Sequence, residues 1–332
     1  MAAAAAKAAS AGAKSDAATD CERLWIGSHL STAGALRAAV DEAVGFRFGA
    51  VQIFTRNQRQ WTPKPLAKDE VADFHAARKG TLFEDGRRIV SHNSYLVNLA
   101  SPDEANLAKS IACERTELER CELLGVPVSV AHPGAHLGEA RKPKDPNDLD
   151  AEPTADELAG LKRIAKAIDQ IHRELKGYKV RIALETTTGS GTNLGYAFHH
   201  LGRIRSMVRE PERIAYCIDT CHVFAAGYEV STAAKAKAVL ERFDREAGLA
   251  HVAAIHVNDS EAAFASRKDR HAHIGHGLCG NAWFETVLRH PAFTQVPKVL
   301  ETEKGDAAGG KPWDRVNADA LAALASPRTK SK

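Results

Sequence analysis

Eight short apolar runs punctuate this chain, and their regular recurrence constrains the fold more than any other feature. They are Leu24-Trp25-Ile26-Gly27, Ala50-Val51-Gln52-Ile53-Phe54, Arg88-Ile89-Val90-Ser91, Val126-Pro127-Val128-Ser129-Val130-Ala131, Val180-Arg181-Ile182-Ala183-Leu184, Ile214-Ala215-Tyr216-Cys217-Ile218, Val252-Ala253-Ala254-Ile255 and Val296-Pro297-Lys298-Val299-Leu300. Each is short and apolar enough for a buried strand. Amphipathic helical stretches lie between them, such as 105–124, 155–175 and 234–247, each long enough to cross back over a sheet. Eight alternating strand and helix units imply an α/β single-domain (β/α)8 TIM barrel with its active site at the C-terminal ends of the strands. A doubly wound sheet is the rival, but no G-x-G-x-x-G opens the first turn. At 332 residues the chain is long enough to bury such a core.

The flanks differ in composition. Residues 1–20 are alanine-rich and lack aromatics, so they are expected to form a disordered tail or, less in keeping with their two lysines and late acid, a transit peptide. The barrel is then expected over 21–325, with a Pro- and Asp-rich loop insertion at 138–157 and a basic tail at 326–332. Net charge is only +3, so a polyanionic partner must be met by a local patch. The six cysteines lack CxxC pairs and read as reduced thiols of an intracellular protein, nuclear or mitochondrial in a eukaryote and cytoplasmic in a bacterium. No apolar run is long enough for a membrane span.

The fifteen histidines are the anomaly. In a barrel, chemistry sits just past the strands, and there stand His29, then Asn57-Gln58-Arg59-Gln60-Trp61, then His92, His132, Glu185, Asp219 with His222, His256 and Glu301. Asp269 and His271, two apart in the seventh loop, point to one side if extended. Such a set of imidazoles and carboxylates suits zinc, or manganese or iron in its place. With about three or four protein ligands per ion, it serves two or three metals bridged by a carboxylate, and clustered divalent ions fit phosphoester hydrolysis. In the second and third loops Arg56 and Arg59 are candidates to meet phosphates, Asn57 and Gln58 to bond backbone or bases, and Tyr95-Leu96 to form an apolar wedge. The alternative is that Trp61, Tyr95 and Leu96 cap the barrel rim.

At these residues the chain resembles the endonuclease IV family of apurinic/apyrimidinic (AP) endonucleases. The likeness runs through G-S-H-L-S-T-A-G, F-T-R-N-Q-R-Q-W, H-N-S-Y-L-V-N-L, H-P-G-A-H-L, L-E-T-T-T-G-S-G-T-N-L-G, C-I-D-T-C-H-V-F-A-A-G-Y, I-H-V-N-D-S, S-R-K-D-R-H and V-L-E-T. It implies a three-zinc hydrolase of base excision repair that cuts duplex DNA 5′ to abasic sites, leaving a 3′-hydroxyl and a 5′-deoxyribose phosphate, and that trims blocked 3′ ends. By that resemblance His92 and His132 hold the first metal with Glu185 bridging to the second. Asp219, His256 and Glu301 complete the second, and His222, Asp269 and His271 hold the third. Glu301 and Glu185 are the catalytic carboxylates, with Glu301 near the nucleophile. Arg59, Tyr95 and Leu96, helped by Asn57 and Gln58, contact DNA and fill the gap left by the extruded abasic nucleotide. Thr186 stands where the family commonly has Asn, and His276 where many members carry Glu. His29 and His136 are the histidines outside this set expected to take part. A monomer is expected. The competing readings are a metal-dependent TIM-barrel sugar isomerase or epimerase, with fewer metals and no wedge, and a catalytically dead damage-binding module, which needs a broken ligand set.

Overall fold

In a computed structural model that describes residues 19–141 and 149–326, the apolar runs become the strands of one closed parallel barrel. The strands in chain order are β1 (Ile26–His29), β2 (Ala50–Ile53), β3 (Ile89–His92), β4 (Val128–Ala131), β5 (Arg181–Glu185), β6 (Ile214–Asp219) and β7 (Val252–His256). A two-stranded ribbon follows, β8 (Asp259–Ser260) with β9 (His271–Ala272), and then β10 (Lys298–Leu300) closes the ring between β7 and β1. The other neighbours pair in sequence order, as right-handed crossovers require. Segments 1–18, 142–148 and 327–332 fall outside the described residues. They carry most of the expected N-terminal tail, the middle of the expected loop insertion and nearly all of the basic tail.

The helical stretches appear as Glu104–Leu124, Ala155–Glu174 and Ala233–Glu246, within a residue or so of their expected limits. The first strand starts later than its apolar run. Leu24 ends a short helix, Asp20–Leu24, and Trp25 caps it in the left-handed region, so only Ile26 onward can pair. Thr19 and Asp20, assigned to the tail on composition, belong to that helix: Thr19 and Glu22 form a reciprocal capping box. Gly27 cannot be replaced in β1, because a Cβ there would come within 1.7 Å of the Ala50 carbonyl oxygen.

Two apolar layers hold the fold. The larger lies between sheet and helices, and the smaller fills the barrel with compact side chains including Val90, Val130, Ala183, Ala215, Ala254 and Val299. At the bottom the buried Lys298 amine donates to the carbonyls of Phe293 (2.6 Å), Leu24 (2.9 Å) and Val296 (2.9 Å). All six cysteines are buried free thiols. Among the described residues no helix is long and apolar enough to cross a membrane.

Candidate metal centre

Strand endings build the site. His92, Glu185, Asp219 and His256 are the last residues of β3, β5, β6 and β7, while His132 and Glu301 stand one residue past β4 and β10. Side chains alternate along a strand, so one terminal residue per strand can aim at the barrel axis. His222 lies one turn along the helix Thr220–Ala226, which Asp219 caps by accepting from the His222 amide at 2.7 Å. His271 opens β9, two residues after Asp269.

The nine candidate ligands form one chain of close contacts, with Glu185 meeting four of the imidazoles. Its Oε2 lies 3.1 Å from His132 Nε2 and 3.4 Å from His92 Nε2, and its Oε1 lies 2.8 Å from His256 Nδ1 and 3.3 Å from His222 Nδ1. Glu301 Oε2 is 3.1 Å from His256 Nδ1. Asp269 reaches His222 Nε2 at 3.1 Å and His271 Nε2 at 3.3 Å, and Asp219 Oδ2 comes within 3.6 Å of His271 Nε2. Donor atoms of His92, His132 and Glu185 lie within 4.8 Å of one another, as do those of Glu185, Asp219, His256 and Glu301, and those of Asp219, His222 and His271.

These groups fit divalent cations. His92, His222 and His271 place Nδ1 within 2.8, 2.8 and 3.3 Å of the carbonyls of Asn93, Thr186 and Glu301; a carbonyl only accepts, so in the neutral ring Nδ1 carries the proton and Nε2 has the lone pair for a cation. Glu185 Oε2, His222 Nε2 and His271 Nε2 are buried without a hydrogen-bond partner among the described residues. Charge argues the same way. Burial alone would raise the Glu185 carboxyl, yet His256, His132 and His222 hold it well below the ordinary range. Burial would lower His222, but Asp219, Asp269 and Glu185 drive it well above its usual value. The pocket therefore demands positive charge, as protons or as metal.

Comparison with known proteins gives the same picture. The family model for xylose isomerase-like TIM barrels matches residues 40–326. A probable endonuclease 4 of Chloroflexus aggregans is 39% identical over 298 residues, 90% of this chain and 96% of that protein. One of Geotalea daltonii is 38% identical over 92% of this chain and 99% of its own. Endonuclease IV from Thermus thermophilus superposes with a TM-score of 0.73 at 31% identity, covering 90% of this chain and 98% of that one.

The chain belongs to the endonuclease IV family. By that membership it is a metal-dependent nuclease of DNA repair, a hydrolase. A D-tagatose 3-epimerase-like protein also superposes, at a TM-score of 0.60, but at 17% identity it shares the fold alone.

The loops expected to meet DNA divide in two. Tyr95 is 59% exposed beside the ligand cluster, its ring 5.1 Å from His92 and 5.9 Å from His132, and Leu96 is half-buried next to it. Both line a cavity of about 280 Å³ that also touches His92 and His132. Asn57 and Arg59 are exposed, with the Arg59 amide donating to Asn57 Oδ1, and the Gln58 carbonyl accepts from Ser94 Oγ, joining the second loop to the third. Arg56 does not fit its expected phosphate role. It is buried, paired with Glu117 at 3.1 Å, and donates to the Gln60 and Trp61 carbonyls, so it shapes the endonuclease loop from beneath. Trp61 packs against the core, as the rim alternative expects.

Two polar residues of the site escaped sequence reasoning. Gln52, inside β2, donates to Glu301 Oε1 (2.6 Å), contacts His29 Nδ1 (3.0 Å) and accepts from His256 Nε2 (2.8 Å), which turns His256 Nδ1 toward the carboxylates. Asn258 donates to Asp219 Oδ2 (2.7 Å) and accepts from the Glu301 amide (2.8 Å). An amide within an apolar run was the available signal at Gln52. His29 is at the site, 3.7 Å from Glu301, whereas His136 belongs to none of the donor groups and accepts from the Gly138 amide. Thr186 accepts from the Asp219 amide at 2.9 Å and, through its carbonyl, from His222, so it steadies two ligands. His276 is exposed beside Trp313.

Proposed function

We propose that this endonuclease hydrolyses the phosphodiester 5′ to abasic sites in duplex DNA, leaving a 3′-hydroxyl and a 5′-deoxyribose phosphate, and also trims blocked 3′ ends during base excision repair. The clustering of nine imidazoles and carboxylates at the barrel mouth, four of the imidazoles on Glu185 itself, carries the reading. His92, His132 and Glu185 would hold one zinc ion; Glu185, Asp219, His256 and Glu301 a second; and His222, Asp269 and His271 a third, with Mn2+ or Fe2+ able to replace zinc in part. Such ions, when bound, acidify water and neutralise charge on the phosphate and the leaving oxygen.

The chain's own side chains supply aim and exclusion. Gln52, donating to the carboxylate, and Asn258, accepting from the Glu301 backbone N–H, fix Glu301, whose carboxyl burial would raise but His256, His29 and His92 keep far below the ordinary range, so it remains ionised beside the reacting centre. Tyr95 and Leu96 enter the minor groove and fill the space of the extruded abasic nucleotide, which lacks stacking and pairing and is cheaper to expel than an intact one. Arg59, with Asn57 and Gln58, contacts the backbone and groove edge of a duplex bound by a monomer.

Elemental analysis of the purified protein, paired with incision of an abasic duplex by wild type and Glu301→Gln, tests this. Three zinc per chain, and loss of incision by roughly 1,000-fold or more in the variant with abasic-duplex binding retained, are expected. Normal incision by Glu301→Gln, or a chain purified without transition metal, defeats the reading.

A further inference from the structure

Among the described residues five non-glycine ones adopt the left-handed region, Trp25, Arg47, Leu137, Ala265 and Arg267. Leucine there is disfavoured by its Cβ, so the strain needs an offsetting contact. Trp25 has one, buried beneath the Arg88 guanidinium at 4.1 Å. Arg47 pairs with Glu22, and Arg267 lies over the Tyr196 ring at 4.8 Å. Leu137 differs: its backbone is held at φ 56° while its apolar side chain is 57% exposed.

The holding is thorough. The loop after β4 pairs with the loop after β5 through the antiparallel bridge Ala135–Asn193. The His136 amide donates to the Thr192 carbonyl (3.1 Å), and the Leu137 amide to Thr192 Oγ1 (3.3 Å). Asn98, from the loop that carries Tyr95 and Leu96, donates to the Ala135 carbonyl and accepts from its amide, both at 2.9 Å. The cavity lined by His92, Tyr95 and His132 also touches Ala135 and Asn193, so the loop that bears Leu137 borders it two residues before the leucine.

We propose that Leu137 is a second apolar contact for the damaged duplex, packing on deoxyribose and base edges from the loop that borders the cavity beside Tyr95. This rests on the abasic-site reading above. A pre-set apolar tip loses no loop entropy on binding, which is what a rigid, strained display gains for the protein. The adjoining candidate interface names the occupant: the tip is tied by Asn98 to the expected DNA wedge and by the chain itself to the ligand His132, five residues before it.

Leu137→Asn tests this, because asparagine tolerates the left-handed region and removes only the apolar surface. For the metal-loaded enzyme on a duplex with one tetrahydrofuran abasic site, KM should rise roughly tenfold with kcat within about twofold, as the loss of one buried leucine contact would give. Metal content should be unchanged, and Leu137→Met should restore KM. An unchanged KM in Leu137→Asn, with wild type active, overturns the inference. A joint loss of kcat and metal also overturns it, by making Leu137 a structural support. Failure of wild type to bind or cut the abasic duplex instead sinks the function reading itself, a result seen without any Leu137 variant.

Discussion

The two ends of the barrel treat buried charge in opposite ways. At the bottom, one ammonium, Lys298, meets three carbonyls, and Arg88 donates to the Glu22 and Gly49 carbonyls while lying over Trp25. At the mouth, four carboxylates and five imidazoles crowd together, and Glu185, His222 and His271 keep atoms without a hydrogen-bond partner among the described residues. Buried polar groups left unpaired are costly. Completed bonding around Lys298 serves stability, and the unpartnered donor atoms at the mouth serve a ligand.

Substitutions at the two ends should therefore separate activity from stability. Glu185→Ala removes the carboxylate shared by two donor groups; zinc should fall from the proposed three to one per chain or fewer and incision by roughly 10,000-fold, read by elemental analysis and a cleavage assay. Retention of all the metal would break the contrast. Lys298→Met strands three carbonyls and should cost about 2–4 kcal/mol of unfolding free energy, while zinc content and incision at 25 °C stay as in wild type.

The same lysine gives a pH signature. Burial, reinforced by the Arg88 charge, brings its ammonium down to about 7. An unfolded lysine titrates near ~10.4, so between these values the unfolded chain holds the extra proton and stability rises with pH. Denaturant titrations from about pH 7 to 10 should show that rise in wild type and a flatter profile in Lys298→Met. A mutant as steep as wild type would mean that Lys298 is not the source. The smallest effect is expected at the exposed wedge. Tyr95→Ala with Leu96→Ala should weaken abasic-duplex binding roughly tenfold by fluorescence anisotropy with the metals kept; metal loss would make these residues part of the bottom-like scaffold.

Much of this division was legible in the residues. Strand endings could be read because the barrel's geometry ties position along a short apolar run to position at the mouth, and ionisable residues at run ends are rarely neutral accidents. The first strand misled because Leu24-Trp25 is as apolar as a strand but is spent on a helix end and its cap. Arg56 looked like Arg59, two neighbours in one basic loop; only the fold shows that Glu117, 61 residues on, claims the first and leaves the second to solvent. Gln52, marked only as an amide within an apolar run, and Asn258 were missed for a related reason. A neutral amide has no charge to mark it, and its worth comes entirely from what lies across the barrel.

Asp219 divides its two oxygens between tasks. Oδ1 starts the helix that carries His222, and Oδ2 takes the Asn258 amide and faces His271. Its side chain is thus a ruler cut to one length. Lengthening it by a methylene keeps the charge but shifts helix start and donor oxygen together, so the spacing between the donor groups is written into the backbone and not left to side-chain adjustment.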